Sequence, residues 1–185
     1  MAEKRLKAVS EKTLKSNYVF KGHVVNLRID DVITVDGRHS TREVVEHGES
    51  IVVVPIDDKG NVLLVKQYRR ALDDNLLELP AGGIEKGESP KVTVIREMQE
   101  ETGFKPKKVV SLTGFYTSPG FTNEYLHLFL ATDLVPSQLV AEDTAEINVT
   151  PVPLDKVKQM ILSGKIQDSK SIAGLLFVLE YLKKS

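Results

Sequence analysis

Four glutamates and one arginine in a short segment have the residue types and the spacing needed to bind a divalent cation. Glu97, Glu100 and Glu101 follow Arg96 within five positions, and Glu88 lies eight positions before that arginine. In a helix, positions 97, 100 and 101 are three and four residues apart, so their carboxylates share one face. Carboxylates about 5 Å apart repel each other by roughly 3 kcal/mol per pair at an effective dielectric constant of about 20. A hard cation such as Mg²⁺ removes that repulsion, so the segment predicts a cation site.

The alternative is a solvated acidic face on a surface helix, because fully exposed acids repel each other by only about a few tenths of a kcal/mol. The longer pattern from Gly82 to Phe104 favours the cation site. It has the spacing G-x5-E-x7-R-E, an apolar residue, x-E-E-x-G and a second apolar residue. Seven fixed residues at average usage match by chance on the order of 10⁻⁹ to 10⁻⁸ per starting position.

A loop is predicted immediately before these acids. Residues 76–88 (LLELPAGGIEKGE) are rich in glycine. Gly82 and Gly83 permit tight backbone turns, so a backbone carbonyl such as that of Ala81 is able to face the cation.

A helix with clear ends is predicted to position the acids. Ser89 and Pro90 favour the N-cap and the first helical position. Gly103 favours the end of the helix as the residue just beyond its last turn. On this helix Arg96 is placed to pair with Glu100, one turn further on.

The rest of the chain predicts strands that pair locally and a few helices. Asp36-Gly37 is a hairpin signal within the β-rich run Tyr18 to His47. Residues 50–56 and 61–67 predict an antiparallel hairpin whose apolar strands are covered on both faces. Further strands are predicted at 109–117, 125–132 and 147–152, with helices at 154–163 and 171–185. These elements predict an α/β or α+β sandwich around one mixed sheet, with a β-rich segment at 1–40 and the main domain at 41–185.

Bulk composition narrows the possible partners. The 185 residues carry a formal net charge of −1, which suggests neither a nucleic-acid nor a membrane partner. The absence of cysteine excludes disulfides and thiolate metal sites. The polar N-terminus lacks the apolar core of a signal peptide, so a soluble, cytoplasmic protein is expected.

The segment Gly82 to Phe104 is similar to the Nudix box at every defining position. Residues 41–180 further resemble the ADP-ribose pyrophosphatase branch of the Nudix family. The similarity depends on REVVEHG at 42–48, KQYRR at 66–70, LLELPAGG before the box and SPGFTNE at 118–124. In the last of these, Pro119 lies sixteen residues after Gly103, which resembles the marker of members that hydrolyse ADP-ribose.

The resemblance implies a Nudix-type α/β/α sandwich and Mg²⁺-dependent hydrolysis of ADP-ribose to AMP and ribose 5-phosphate. It implies that Glu97, Glu101 and the Ala81 carbonyl bind Mg²⁺, with Mn²⁺ or another divalent cation as alternatives. Glu100 would assist them, and Arg96 would act with the catalytic set. For the general base it implies an acid of the loop AEDTAEINV, and Glu142 or Glu146 is expected, with ordinary loop charge as the alternative for each.

Substrate contacts are implied in the same way. Arg42 and Arg69 would contact the diphosphate or the terminal ribose, with ordinary surface charge as the alternative for each. Glu124 would contact the terminal ribose, with a charge at a strand edge as the alternative. Ser118 and Glu78 join the expected substrate contacts, although Glu78 also fits a purely structural role. The resemblance further implies a homodimer in which N-terminal strands help to form the partner's substrate pocket, so that Arg42 would act across the interface.

Two other functions stay open at this point. The box predicts pyrophosphate chemistry but does not specify the groups on either side, so a nucleotide sugar such as GDP-mannose is an alternative substrate. A non-catalytic nucleotide-binding module is the other alternative.

Overall fold

The computed structural model describes residues 10–140 and 147–184. Backbone contacts divide the chain into two units. The first comprises Met1–Gly48 and Ser118–Glu124, and the second comprises Glu49–Thr117 and Tyr125–Ser185.

The first unit contains a three-stranded antiparallel sheet in the order β1-β2-β3. Its strands are β1 (Lys12–Lys21), β2 (Val25–Ile33) and β3 (His39–His47). The predicted Asp36-Gly37 turn is confirmed, because Gly37 has a φ of +85° and its N–H donates to the Thr34 carbonyl at 2.9 Å. Glycine suits this turn because positive φ costs it little.

The described residues of the second unit form two sheets and three helices. Its strands are β4 (Ser50–Pro55), β5 (Asn61–Arg69), β6 (Asp74–Glu78), β7 (Ala81–Gly83), β8 (Phe104–Tyr116), β9 (Tyr125–Pro136) and β10 (Asn148–Pro153). Its helices are α1 (Pro90–Glu97), α2 (Leu154–Leu162) and α3 (Ser169–Leu182), and a π-helical turn, Met98–Thr102, continues α1. A mixed sheet has the order β7-β4-β9-β8, and an antiparallel sheet has the order β10-β5-β6.

Two apolar cores lie on opposite faces of the mixed sheet. On one face Val94 and Met98 of the α1 segment pack with Ile51 and Val53 of β4. On the other face, apolar residues of β4 and β9 pack with the second sheet, α2 and α3. Strand β4 is buried along its whole length, as its continuous apolar run predicts. The predicted α/β class is confirmed by this arrangement of helix, sheet and helix.

The predicted antiparallel hairpin of residues 50–56 and 61–67 is wrong. Only a single bridge, Ile56 to Val62, joins the two segments. Beyond it β4 pairs with β7 and β9, whereas β5 pairs with β6 and β10. The two strands diverge because each pairs with other strands in its own sheet, and β9 and β10 among these partners are distant in sequence.

Several further element boundaries differ from the prediction. Strand β8 begins at Phe104 rather than 109, and β9 extends to Pro136 rather than to 132. Residues 76–88 are not one loop, since they contain the end of β6 and all of β7. Helix α3 begins at Ser169 rather than Ser171. Within the described part of the chain, no helix has the length and apolar character needed to cross a bilayer.

Candidate functional site

Helix α1 and its π-helical turn carry the acidic residues. The helix begins with Pro90 after Ser89, which occupies the N-cap in an extended conformation without a side-chain hydrogen bond. The π-helical turn that continues it ends, as predicted for the whole segment, at Gly103, which has a φ of +76° and donates its N–H to the Met98 carbonyl. That bond spans five residues, as in a π-helix, and such turns occur frequently at functional sites. The apolar side of the segment packs on the mixed sheet, so the acids stay on the side toward β7.

Glu97 lies directly against strand β7. Glu97 is only 8% exposed. A Cβ added to Gly82 would lie 1.9 Å from Glu97 Oε1. Gly82 therefore permits close approach of a carboxylate to the strand. The expected tight turn is wrong, because neither Gly82 nor Gly83 has a positive φ.

Glu101 contacts the same strand one residue earlier. The residue is 9% exposed, and its Oε2 accepts a hydrogen bond from the Ala81 N–H at 3.1 Å. Burial, and next the nearby charge of Glu97, raise the pKa of the Glu101 carboxyl to about 8. Two carboxylates are thus crowded into a place where little water offsets their charge.

Arg96 connects the remaining acids. Its Nε and Nη2 each donate to the Glu88 carboxylate at 3.0 Å, and its Nη1 donates to Glu97 Oε1 at 2.7 Å. The predicted pair of Arg96 and Glu100 is confirmed by an Nη1 to Oε2 distance of 3.1 Å. The hydrogen bonds from Arg96 are the largest cause that lowers the pKa of the Glu88 carboxyl to about 2. Arg96 therefore fixes three carboxylates at once.

The residues at β7 suit a hard divalent cation with oxygen ligands. Mg²⁺ is usually bound through one or two carboxylates and keeps several waters for substrate phosphates. Glu97 and Glu101 supply two carboxylates beside the backbone of Ala81 and Gly82. Among residues 10–140 and 147–184, no three His, Asp or Glu side chains are grouped so that they would bind a metal on their own. A cation here would therefore depend on two carboxylates, backbone oxygen and water or phosphate.

A second charged network lies at the other end of the β6–β7 connection. Glu78, 1% exposed, accepts two hydrogen bonds from Arg69, from Nε at 2.7 Å and from Nη2 at 2.6 Å. Lys170 also donates to Glu78 Oε2 and lies 3.0 Å from Asp168 Oδ2. Burial opposes ionisation of Glu78, but the hydrogen bond from Arg69 and the charge of Lys170 outweigh it, so its pKa is lowered. Glu101 is close enough to help raise the pKa of Arg69, after the larger effect of Glu78.

Other expected residues lie in the first unit. Arg42 donates from Nε to Glu11 Oε2 at 3.0 Å and from Nη1 to the Ser40 hydroxyl at 3.0 Å. The Ser118 carbonyl accepts the backbone N–H groups of the turn that follows it. Glu124 Oε1 lies 3.7 Å from His47 Nδ1.

The two candidates for the general base, Glu142 and Glu146, lie outside the described residues.

Sequence reasoning missed the first turn of α3. Asp168 is the N-cap of that helix, and its carboxylate accepts the Ser171 N–H at 3.0 Å. The Ser171 hydroxyl in turn accepts the Leu79 N–H at 2.7 Å. A signal was available, because Asp three positions before Ser at the start of an apolar helical segment is typical of an N-cap. The proximity of Lys170, in the same turn, to Glu78 could not be read from the sequence, since these two residues lie 92 positions apart.

Known proteins match the chain along most of its length. The NUDIX domain model matches residues 46–174, and the model of the nucleoside diphosphate sugar hydrolase N-terminal domain matches residues 11–45. An ADP-ribose pyrophosphatase of Bacillus subtilis (strain 168) is 36% identical over 180 residues, which cover 96% of this chain and 95% of that protein. A methanol dehydrogenase activator of Bacillus methanolicus is 37% identical over 174 residues, which cover 93% of this chain and 94% of that protein.

A solved structure described as an ADP compounds hydrolase has the same fold. Its TM-score is 0.88 at 21% identity, over 97% of this chain and 98% of that one. The NUDIX model covers more than half of the chain, and the relatives match it almost end to end. The chain therefore belongs to the NUDIX family, as the segment Gly82 to Phe104 predicted. Hydrolases of this family generally use divalent cations.

Proposed function

We propose that this protein hydrolyses the pyrophosphate bond of ADP-ribose in a Mg²⁺-dependent reaction that releases AMP and ribose 5-phosphate. The observation that carries the proposal is the pair of buried carboxylates, Glu97 and Glu101, against the backbone of Ala81 and Gly82. The relative of Bacillus subtilis named ADP-ribose pyrophosphatase supports the choice of substrate.

Glu97, Glu101 and the Ala81 carbonyl are the proposed ligands of the cation. Bound Mg²⁺ would neutralise negative charge on the diphosphate and orient it for attack by water. Glu100 would act beside the ligands, and Arg96 keeps Glu97 and Glu100 in place through its Nη1 hydrogen bonds. Catalysis of this kind depends on prearranged charge, and buried, hydrogen-bonded carboxylates provide it.

Arg69 is the proposed diphosphate contact of the second unit. Its side chain is 40% exposed although Glu78 binds it through two nitrogens. An arginine that is fixed on one edge and open on the other suits bidentate recognition of phosphate. The burial of Glu78 favours the structural alternative for that residue over direct contact with substrate.

A nucleoside diphosphate sugar is the second candidate substrate. The match of residues 11–45 to the nucleoside diphosphate sugar hydrolase N-terminal domain favours it. A panel of ADP-ribose, GDP-mannose, UDP-glucose and NADH, each assayed with an excess of Mg²⁺, separates the two. We expect the highest kcat/KM for ADP-ribose, with AMP as a product. A higher value for a nucleotide sugar would assign the second function, and no cleavage of any compound would leave a non-catalytic binding module.

The general base stays a prediction for Glu142 or Glu146. We expect that one of the two, changed to glutamine, lowers turnover by about 10²-fold while substrate still binds. Near-normal turnover in both single variants would remove this loop from the mechanism.

A homodimer built with the N-terminal strands is also proposed, together with the division into a segment at 1–40 and a domain at 41–185. Strand β1 is exposed along its whole length, including the apolar residues Leu14, Val19 and Phe20, as expected for a surface that a second copy covers. Sedimentation that shows a stable, active monomer would contradict the proposal. A cytoplasmic location stays a prediction.

In that dimer, Arg42 would contribute to the substrate site of the partner. Glu124 is the proposed contact to the terminal ribose, and Ser118 is a further proposed substrate contact. Coexpression of Arg42→Ala with Glu97→Gln tests this arrangement. A mixed dimer has one site in which both residues are intact, so activity should return above that of either variant alone. No recovery in a mixed dimer would place Arg42 in the site of its own subunit or outside the mechanism.

A further inference from the structure

The first turn of α3 contacts the connection between β6 and β7 at two consecutive residues. Lys170 donates to the Glu78 carboxylate, and the Ser171 hydroxyl accepts the Leu79 N–H at 2.7 Å. Asp168 accepts hydrogen bonds from the Ser171 N–H and hydroxyl and lies 3.0 Å from the Lys170 ammonium. The lysine is therefore fixed by two carboxylates on a helix end that is itself fixed to the connection.

Glu78 is a shared acceptor for two cations. Its residue is 1% exposed, the Lys170 side chain is 15% exposed and the Arg69 side chain is 40% exposed. Glu78 Oε1 accepts from Arg69 Nε, whereas Oε2 accepts from both Arg69 Nη2 and Lys170. Lys170 thus lies on the buried side of the carboxylate, and Arg69 on the side that reaches solvent.

We propose that Lys170 is a positioning residue: by fixing the Glu78 carboxylate from the buried side, it orients Arg69 so that the Nη1 edge of the guanidinium faces the substrate diphosphate. This inference rests on the proposed function of Arg69 as a diphosphate contact. A buried carboxylate that loses one of its donors shifts or admits water, since an unsatisfied charge is costly there. The Arg69 guanidinium shifts with it, because two parallel hydrogen bonds tie its orientation to that of the carboxylate.

The consequence concerns binding of the diphosphate more than the chemical step. A guanidinium that is already oriented loses less entropy when it binds phosphate. Displacement of Arg69 therefore weakens binding, while the carboxylates at β7 keep their places. Helix α3 would then contribute to substrate affinity through Lys170 and Glu78.

A double-mutant cycle on Lys170 and Arg69 tests the inference. Lys170→Met should raise KM for ADP-ribose by about tenfold and change kcat by less than about threefold, as loss of ground-state binding does. In an Arg69→Met background the same substitution should change KM by less than about twofold, because coupled residues are not additive. Lys170→Arg, which keeps a charged donor, should restore most of the affinity. Equal effects in both backgrounds, or an unchanged KM in Lys170→Met, would overturn the proposal.

Lys183→Met is the matched control. It removes a lysine of the same helix that pairs with Glu180 but lies at the exposed C-terminal end. We expect its KM to equal that of the unaltered protein.

A measurement made without substrate tests the positioning role of Lys170 independently of the proposed hydrolysis. The Nε–H of Arg69, bonded to Glu78 at 2.7 Å, should give a resolved NMR signal with slow hydrogen exchange in the full chain. Lys170→Met should speed that exchange by about tenfold or more, since a bound N–H exchanges only when it opens. Unchanged exchange overturns the positioning role whatever the substrate is. If the Arg69 Nε–H exchanges faster in Lys170→Met but the protein hydrolyses no diphosphate, the proposed function is contradicted and the positioning of Arg69 is still supported.

Discussion

At the scale of single residues, the decisive property of Glu97 and Glu101 is that both acidic groups lie where little water reaches them. Each residue is less than a tenth exposed, and the pKa of Glu101 is raised to about 8 by burial and by the charge of Glu97. A buried like-charge pair is unfavourable unless a cation or a proton intervenes. The proposed Mg²⁺ site follows from that cost.

Glu97→Gln should lower turnover by about 10²-fold or more while the fold is kept. The amide has nearly the shape of the carboxylate but not its charge, so the loss is one of charge stabilisation at the diphosphate. Steady-state kinetics with saturating Mg²⁺, alongside circular dichroism, measures both. Glu180→Gln, at an exposed glutamate of α3, is the control and should keep full turnover. Unaltered hydrolysis in Glu97→Gln would rule out the proposed ligand set.

Glu88 should contribute to the loss of folding stability at acid pH. Its folded-state pKa of about 2 lies below the ordinary value of 4.5, chiefly because Arg96 donates to it. A depressed carboxyl pKa stabilises the folded state above about pH 4.5, and this stabilisation is lost as the pH falls toward 2. Glu88→Gln should therefore lower the free energy of unfolding at pH 6 and flatten its decline between pH 4.5 and 2. Urea unfolding at a series of pH values in this window measures the slope, and parallel curves would contradict the assignment.

At the scale of elements, the close approach of α1 to β7 depends on one missing methyl group. A Cβ on Gly82 would overlap the Glu97 carboxylate, the flexible end of a side chain, whereas a Cβ on Gly83 would meet no atom within 4 Å. The two adjacent glycines thus form a natural pair of test and control.

Gly82→Ala should weaken Mg²⁺ binding by about 10- to 100-fold, a range typical when a metal ligand loses its support. The carboxylate moves more easily than the strand, so the melting temperature should change little. Gly83→Ala should leave Mg²⁺ affinity near that of the unaltered protein. Calorimetric titration of Mg²⁺ into both variants provides the comparison. Equal affinities would show that Glu97 does not need its place against the strand.

The ends of the helical segment, at Pro90 and Gly103, were predictable from local chemistry. The π-helical form of its last turn was not. Pro90 suits the first helical position and Gly103 suits the residue beyond the last one, and each preference follows from a single residue's backbone. The π-helical turn at Met98–Thr102 has no comparable signature. It accommodates Met98 in the apolar core and Glu101 against Ala81 at the same time, which is a demand of packing.

At the scale of the whole molecule, cation binding should appear as a gain in stability. A ligand that binds only the folded state at about tenfold above its Kd contributes about 1.4 kcal/mol. For a chain of this size that corresponds to a rise of about 3 to 6 °C in melting temperature. Thermal unfolding with and without MgCl₂ measures the rise, with NaCl at equal ionic strength as the control. The rise should disappear in Glu97→Gln, and an equal rise there would place the cation elsewhere.

Local chemistry in the chain accounts for the family, the reaction class and the acids of α1. The spacing from Gly82 to Phe104 carries these predictions because a helix of known period brings nearby residues to one face. The Arg96–Glu100 pair and the burial of β4 follow from the same short-range regularities, and the structure confirms both.

Contacts between distant parts of the chain account for the rest. The divergence of β4 and β5 into separate sheets, and the contact of Lys170 with Glu78 across 92 positions, depend on which surfaces pack together. The role of Gly82 is of the same kind, because close approach to Glu97 becomes visible only when α1 lies on the mixed sheet. Residue periodicity specifies which face of an element is apolar, but the burial of several such faces against one another selects the partners.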